Sequence, residues 1–269
     1  MKKHLSTIFL IFVFIAGLSL LLYPTVSDYW NSIFQSQAIA GYTEEVAKID
    51  DNIYEELWKK AQDYNGTLAK GDERFVFYEE DKVEYENLLN VAGNGVMGYI
   101  QIPVIGCSLP IYHGTSDEVL QIAIGHIEGS SLPVGGAGTN CVLSGHRGLP
   151  RAKLFTELDK VREGDVFMLQ VLDETLTYAV DKIWIVEPHE IEKLGIEEGK
   201  DYCTLVTCTP YGVNSHRLLV RGTRVENIAE EATVRVTADA LQIEPVVVAP
   251  LVAAPILLIL LAWILIKYR

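Results

Sequence analysis

Two uncharged apolar runs near opposite ends, residues 5–22 and 246–266, constrain this chain more than any other feature. At about 1.5 Å per residue in a helix, each reaches across roughly 30 Å of hydrocarbon, the first only just. Lys2 and Lys3 precede the first run, and Lys267 and Arg269 follow the second. Positive flanks favour the cytoplasmic side. The expectation is a two-pass protein of the cell membrane, with both termini cytoplasmic and an extracellular folded part. Pro250 and Pro255 interrupt the second run, which membrane helices tolerate. The first run also fits a secretory signal, with Ala38-Ile39-Ala40 as a cleavage site. That triplet lies well beyond the run, which favours an uncleaved anchor.

Between the runs lie 18 basic and all 36 acidic residues, a net charge of −18. This excess argues against nucleic acid or an anionic polymer as the main ligand. It suits solubility, and it suits a cationic partner such as a lysine-bearing acceptor.

The expected layout is a cytoplasmic N-terminus (1–4), an anchor (5–22), a helical stalk (28–65), a possible lid (66–90), a barrel (91–225), a linker (226–245), a second transmembrane helix (246–266) and a cytoplasmic tail (267–269). The stalk rests on Val46, Ile49, Ile53 and Leu57, which recur at helical spacing. The lid region holds an aromatic cluster, Phe75, Phe77 and Tyr78, then a short helical pattern through Leu88 and Leu89. From Met97 the period changes to two. Strands are expected near 97–104, 109–113, 141–144, 166–172, 176–186, 204–208 and 217–225, with short helices at 117–122 and 152–158. Many short strands in so compact a stretch indicate a closed or nearly closed barrel.

Four cysteines outside a cell raise the question of disulfides. Cys203 and Cys208 read as one strand, too far apart to bridge and on opposite faces. Cys107 and Cys141 remain free to pair. Cys208 ends its strand, because Pro210 and Gly212 stop the ladder. A thiol there can reach a groove. If the turn centres between Gly212 and Val213, Cys208 lies opposite Arg217, with Cβ atoms about 5 Å apart. A cation at that position lowers a thiol pKa and can support an oxyanion. Arg221 shares the face but lies about 13 Å further along.

A thiolate catalyst also needs a proton carrier, for which histidine is best suited. His146 ends a strand between Gly145 and Gly148, where small neighbours permit close approach. His126, flanked by Gly125 and Gly129, ranks second, without a decisive margin. There is no Cys-x-x-Cys pair, His-Glu-x-x-His or phosphate-binding glycine loop, so neither a metal nor an organic cofactor is expected.

Thr204-Leu205-Val206-Thr207-Cys208, with Arg217 downstream, resembles the Thr-Leu-x-Thr-Cys signature of sortases. Leu143-Ser144-Gly145-His146-Arg147-Gly148-Leu149-Pro150 resembles the histidine segment of class C, the pilus-building subgroup. So do Gly95-Val96-Met97-Gly98-Tyr99-Ile100 and Pro110-Ile111-Tyr112-His113-Gly114-Thr115, and the two-span layout is similar. The resemblance implies a mainly β fold: a closed eight-stranded barrel with short helices, an N-terminal helical and lid region and two transmembrane helices. It implies a cysteine transpeptidase, hydrolase-like in its first step, with Cys208 as nucleophile, His146 as proton carrier and Arg217 as electrostatic support. The expected donor is a Leu-Pro-x-Thr-Gly sorting signal on a pilin or surface protein, and the expected acceptor is a lysine of another pilin. His113 and His126 then become structural. Thr207, Leu205 and Ser144 are expected substrate neighbours.

Class C lids commonly carry Asp-Pro-aromatic, and residues 66–90 contain no Asp-Pro. Asp72 and Phe75 are the substitute lid anchors considered. Competing readings are anchoring of single proteins to a peptidoglycan amine, a catalytically idle pilin scaffold, and a secreted cysteine hydrolase.

Overall fold

The structure, a computed structural model, describes residues 2–68, 72–75 and 79–227. The second apolar run and the tail lie outside the described residues, as does the linker from residue 228 on. Among the described residues one helix is long and apolar enough to cross a membrane.

That helix, α1 (Lys2–Val46), is unbroken through Pro24. It covers the stretch expected as an anchor, 5–22, and the first part of that expected as a helical stalk, 28–65. The chain breaks after Val46 and restarts as α2 (Asp51–Thr67), where the Asp50 carboxylate accepts from the Ile53 N–H at 2.9 Å. Such a cap satisfies a backbone donor that a helix start otherwise leaves orphaned. The break resets the helical phase. Val46, Ile49 and Leu57 pack on the barrel core, whereas Ile53, expected on the same face, is exposed. The upper part of α1 is therefore no free stalk. Tyr42 is buried, and its hydroxyl donates to the Met97 carbonyl and accepts from the Leu172 N–H, at 3.1 and 2.7 Å. A third helix, α3 (Glu79–Asn87), brings Tyr85 into the interior.

Eight strands follow: β1 (Val96–Ile102), β2 (Cys107–His113), β3 (Ile124–His126), β4 (Thr139–Ser144), β5 (Val166–Val171), β6 (Glu174–Val186), β7 (Asp201–Thr209) and β8 (His216–Arg224). They close in the order β1-β2-β3-β4-β7-β8-β6-β5. Two neighbours, β2–β3 and β4–β7, are parallel; the rest are antiparallel. Closure leaves no unpaired edge.

The two-residue period explains the core. On β7, Cys203 and Leu205 point inward, as do Leu143 on β4 and Leu218 and Val220 on β8. They meet Ile100, Ile111, Phe155 and Phe167. Each large side chain so buried contributes about 1.5–3 kcal/mol relative to exposure. The alternate residues Val142, Val206 and Leu219 form a smaller apolar strip on the outer face, with Val186 and Leu194.

Two expectations change here. The stretch 152–158 is no helix: Leu154 takes φ 39°, and only Leu158–Lys160 makes a single 3₁₀ turn. The three-residue β3 is too short for its period to be seen. The helix expected at 117–122 is present as α4 (Asp117–Leu120), capped by Ser116.

Candidate active site

β7 ends as the sequence demands. Thr209 is its last residue, Pro210 follows through a cis peptide bond, and Gly212 and Asn214 turn the chain with φ of 76° and 58°. The returning β8 pairs Cys208 with Arg217 and Thr209 with His216, the expected register. Cys208 belongs with Thr204 and Val206 on the outer face, and Arg217 with Leu219 and Arg221.

On the other flank of β7, β4 runs parallel, with Ser144 opposite Val206. The alignment continues past the strand: the Gly145 N–H donates to the Val206 carbonyl at 3.0 Å, and the Thr207 hydroxyl donates to the Gly145 carbonyl at 2.7 Å. Two steps beyond Ser144 and Val206 lie His146 and Cys208. Cys208 and Arg217 thus pair across β7 and β8, and by register their row extends toward His146, two residues past the end of β4; each is half-buried, at one end of the barrel.

The glycines beside His146 have a steric purpose. A Cβ on Gly145 would come within 2.7 Å of the Phe155 ring. One on Gly148, at φ +78°, would come within 2.8 Å of the Tyr211 ring in the β7–β8 turn. Small residues let the histidine loop lie flat between Phe155 and that turn. Arg147 fastens the same loop. Its guanidinium pairs with Asp159 at 2.5 Å and donates to the Thr209 hydroxyl at 3.3 Å, one residue from Cys208. Sequence reasoning missed this clamp, which joins segments far apart in the chain. Arg147 and Thr209 also line an open cleft of about 1010 Å³ with Trp184, Ile185 and Tyr211.

The other candidates separate cleanly. His126 is fully buried, with ring nitrogens 2.8 Å from the Tyr85 hydroxyl and 2.8 Å from the Ser131 carbonyl. It cannot meet a substrate. His113 packs its ring nitrogens against the Gly95 and Leu88 carbonyls at 2.9 and 2.7 Å. Arg221 is held by Asp181 at 2.7 Å and Glu197 at 3.2 Å, and covers the Tyr202 ring. The Arg217 guanidinium donates to the carbonyls of Asn214 and His216, at 3.2 and 3.1 Å, in its own turn.

Of the expected substrate neighbours, only Ser144 faces outward and is partly accessible. Leu205 and Thr207 are corrections. Both are buried, because odd-numbered positions of β7 point into the barrel. Thr207 instead ties the strand to the Gly145 loop.

All four cysteines are free thiols. The pairing considered for Cys107 and Cys141 does not occur; Cys203, on β7, lies opposite Cys141. Cys107 keeps some exposed surface, yet its thiol is enclosed, and burial pushes its pKa up to about 12. Burial also raises the pKa of Cys203.

Above the row, the single 3₁₀ turn Asp72–Phe75 lies over the outer apolar strip. Phe75 packs against the cluster of Val142, Val206 and Leu219, a step of two residues from Cys208 and Arg217. Arg74 is the anchor the sequence did not reveal. Its guanidinium donates to the Leu194 carbonyl and sits over the Phe75 ring, 4.6 Å from its centre. Gly129, at φ +80°, makes room, since a Cβ there would overlap the Arg74 carbonyl. Among the described residues, no cluster of three or more histidine, cysteine or carboxylate side chains could hold a metal.

A family profile described as Sortase domain matches residues 100–225. The structure is similar to sortase C1 of Streptococcus agalactiae, with 49% identity and a TM-score of 0.69 over 71% of this chain and all of that one. The chain belongs to the sortase family of cysteine transpeptidases. Sortase C of Streptococcus pneumoniae is 46% identical, with a TM-score of 0.65 over 71% of this chain and 97% of its own. Sortase A of Bacillus anthracis is 27% identical over 58% of this chain and 74% of its length. In this sortase the matched segment contains the whole His146–Cys208–Arg217 row.

Proposed function

We propose that this sortase is a class C, pilus-building enzyme, and that Cys208, His146 and Arg217 are its catalytic residues. The observation that supports the site is the Cys208–Arg217 pair across β7 and β8, with the loop that carries His146 bonded to β7 through Gly145. The subgroup is supported by the similarity to the streptococcal C-type structures, whose barrels this chain covers almost completely.

The Cys208 thiolate attacks the threonine carbonyl carbon of a Leu-Pro-x-Thr-Gly signal. Arg217 turns its N–H groups from the Asn214 and His216 carbonyls to the oxygen as it gains charge. The Thr–Gly bond breaks, and His146 gives its proton to the departing glycine amine. A thioester to Cys208 remains. The neutral Nζ of a pilin lysine then attacks the thioester, His146, left neutral by the first step, takes the proton that Nζ loses, an amide forms and the Cys208 thiolate leaves. The acidic outer domain suits a lysine-bearing acceptor. Both apolar runs span the cell membrane in this reading, with the barrel outside. The Asp72–Phe75 turn serves as the lid, with Phe75 lying against the outer strip beside the row.

The test is intact mass of the full chain after incubation with a Leu-Pro-x-Thr-Gly peptide, alongside Cys208→Ala. The expected result is an adduct equal to the peptide through threonine, absent from the variant. Adding a lysine-bearing pilin should then consume it. No adduct, even after residues 69–78 are cut out, would overturn the reading.

A further inference from the structure

α1 has two unlike faces above the apolar run. Asp28, Asn31, Gln35 and Tyr42, at steps of three, four and seven residues, all face the barrel. The Asp28 carboxylate accepts from the Lys153 N–H at 2.8 Å, the Asn31 amide donates to the Arg151 carbonyl at 2.6 Å, and the Gln35 amide donates to the Ile122 carbonyl at 2.7 Å. The opposite face is apolar and, among the described residues, bare. Val26, Trp30, Ile33 and Phe34 are 60%, 61%, 36% and 52% exposed, and the rings of Trp30 and Phe34 meet edge to face at 5.7 Å. The stripe continues the face of Tyr23 and ends at Gln37, the next outward position.

We infer that this stripe is a membrane-docking surface, seated in the headgroup boundary of the lipid bilayer. The inference rests on the proposed transmembrane reading of residues 5–22. The bilayer is the occupant because the stripe is continuous with that run along one unbroken helix. Phe34 lies about 18 Å up the helix from Leu22 at 1.5 Å per residue. A headgroup layer is only about 5–8 Å deep, so an upright helix would leave Trp30 and Phe34 in water. Tilt toward the stripe buries them instead, and tilt is the ordinary response where apolar surface on a helix runs on past the hydrocarbon core. Trp and Tyr are the side chains that prefer this boundary, and a helix with one apolar face lies there readily.

The consequence reaches the site. α1 holds the barrel through Arg151 and Lys153, in the loop that begins at His146. Seating the stripe therefore keeps the His146 end of the barrel close to the lipid surface, within reach of a substrate that is itself held in the membrane.

The experiment compares the full chain with Trp30→Phe in vesicles of phosphatidylglycerol and phosphatidylcholine. Flotation of the vesicles first reports membrane association. Tryptophan fluorescence is then quenched either by brominated acyl chains or by aqueous iodide, and the difference between the two proteins gives the Trp30 signal. Loss of most of that signal to brominated lipid, with little to iodide, is the expected result. A Trp30 signal quenched by iodide places the stripe in water and overturns the proposal, leaving the anchor intact. A signal insensitive to both means protein covers the stripe, whether the second apolar run or another copy, and also overturns it. Failure to float removes the anchor reading and the proposal together. Ile33→Trp in the Trp30→Phe background repeats the measurement from a second position on the same face.

Discussion

Cys208 and Arg217 are direct partners across β7 and β8, one residue pair short of the turn that joins the strands. Position on the ladder, not a side-chain bond, brings them together, for the guanidinium currently donates to carbonyls of its own turn. Such a pair is rigid in backbone and adaptable at the tip. In the proposed mechanism that arrangement lets a donor turn to an oxyanion that exists only during reaction.

Arg217→Ala should therefore slow formation of the peptide adduct by about 10²–10³-fold, as expected for loss of one donor at an oxyanion. The melting temperature should hardly change, since the side chain is half-exposed. Arg217→Lys should not restore the rate, because an ammonium does not reproduce the planar fork. Timed mass spectra of the adduct give the rate. A rate that survives the alanine would leave Arg217 a surface residue of the hairpin.

Thiol labelling should find one reactive cysteine in the native chain and four after unfolding. Cys141 and Cys203 are buried, and the Cys107 thiol has a pKa pushed up to about 12 by burial. Only Cys208 lies at a strand end on the outer face. The check is stoichiometry with a maleimide at neutral pH, with Cys208→Ala expected to label none until denatured. A second fast site would mean that the barrel opens.

The Cys208–Arg217 pairing was legible because it follows from hairpin arithmetic: once Pro210 and Gly212 fix the turn, the register is set. The alternation that builds the barrel was legible for the same local reason. The choice between His126 and His146 was not, because the partner that occupies His126 is Tyr85, 41 residues away on α3. Nor was the role of Arg74, whose carbonyl partner Leu194 lies 120 residues distant. The opposite facing of Cys203 and Cys208 was legible, yet which face is interior depends on closure of the whole sheet. For that reason Leu205 and Thr207 were misplaced at the substrate. The second apolar run, 246–266, lies outside the described residues.

Phe75→Ala should raise the rate of Cys208 labelling, since Phe75 packs on the strip beside the row. Gly129→Ala should do the same from a distance. Its Cβ would overlap the Arg74 carbonyl, and its φ of +80° already strains any side chain, so the Asp72–Phe75 turn must shift. Asp72→Ala completes the set, as the other anchor weighed from the sequence. If all three label at the parental rate, this turn is no lid.

Arg147→Met should lower the adduct-forming rate by about tenfold, a loss of roughly 1.4 kcal/mol in the barrier. Arg147 touches no reacting atom; it pins the His146 loop to Thr209 and Asp159. The signature of a positioning role is a fall in kcat with KM little changed. Asp159→Asn should reproduce part of the loss, because the asparagine can still accept a hydrogen bond from the guanidinium. Equal loss of stability and activity would instead mark the clamp as purely structural.

His113 should make the fold sensitive to mild acid. Burial is the main cause holding its pKa below the ordinary 6.5, against the opposing pull of the Gly95 and Leu88 carbonyls, which favour a charged ring. Below 6.5 the unfolded chain therefore takes up a proton that the folded ring resists. The stabilisation is complete above 6.5 and is lost as pH falls from there to the depressed native value. Urea unfolding followed between about pH 7.5 and pH 5 should show stability rising with pH across this window. His113→Gln should flatten that rise while lowering stability at neutral pH, since it removes the titrating group and disturbs both carbonyl contacts. A steeper rise in the variant would mean that the two carbonyls win and the native ring is an imidazolium, and an unchanged slope would mean that the acid response belongs to other groups.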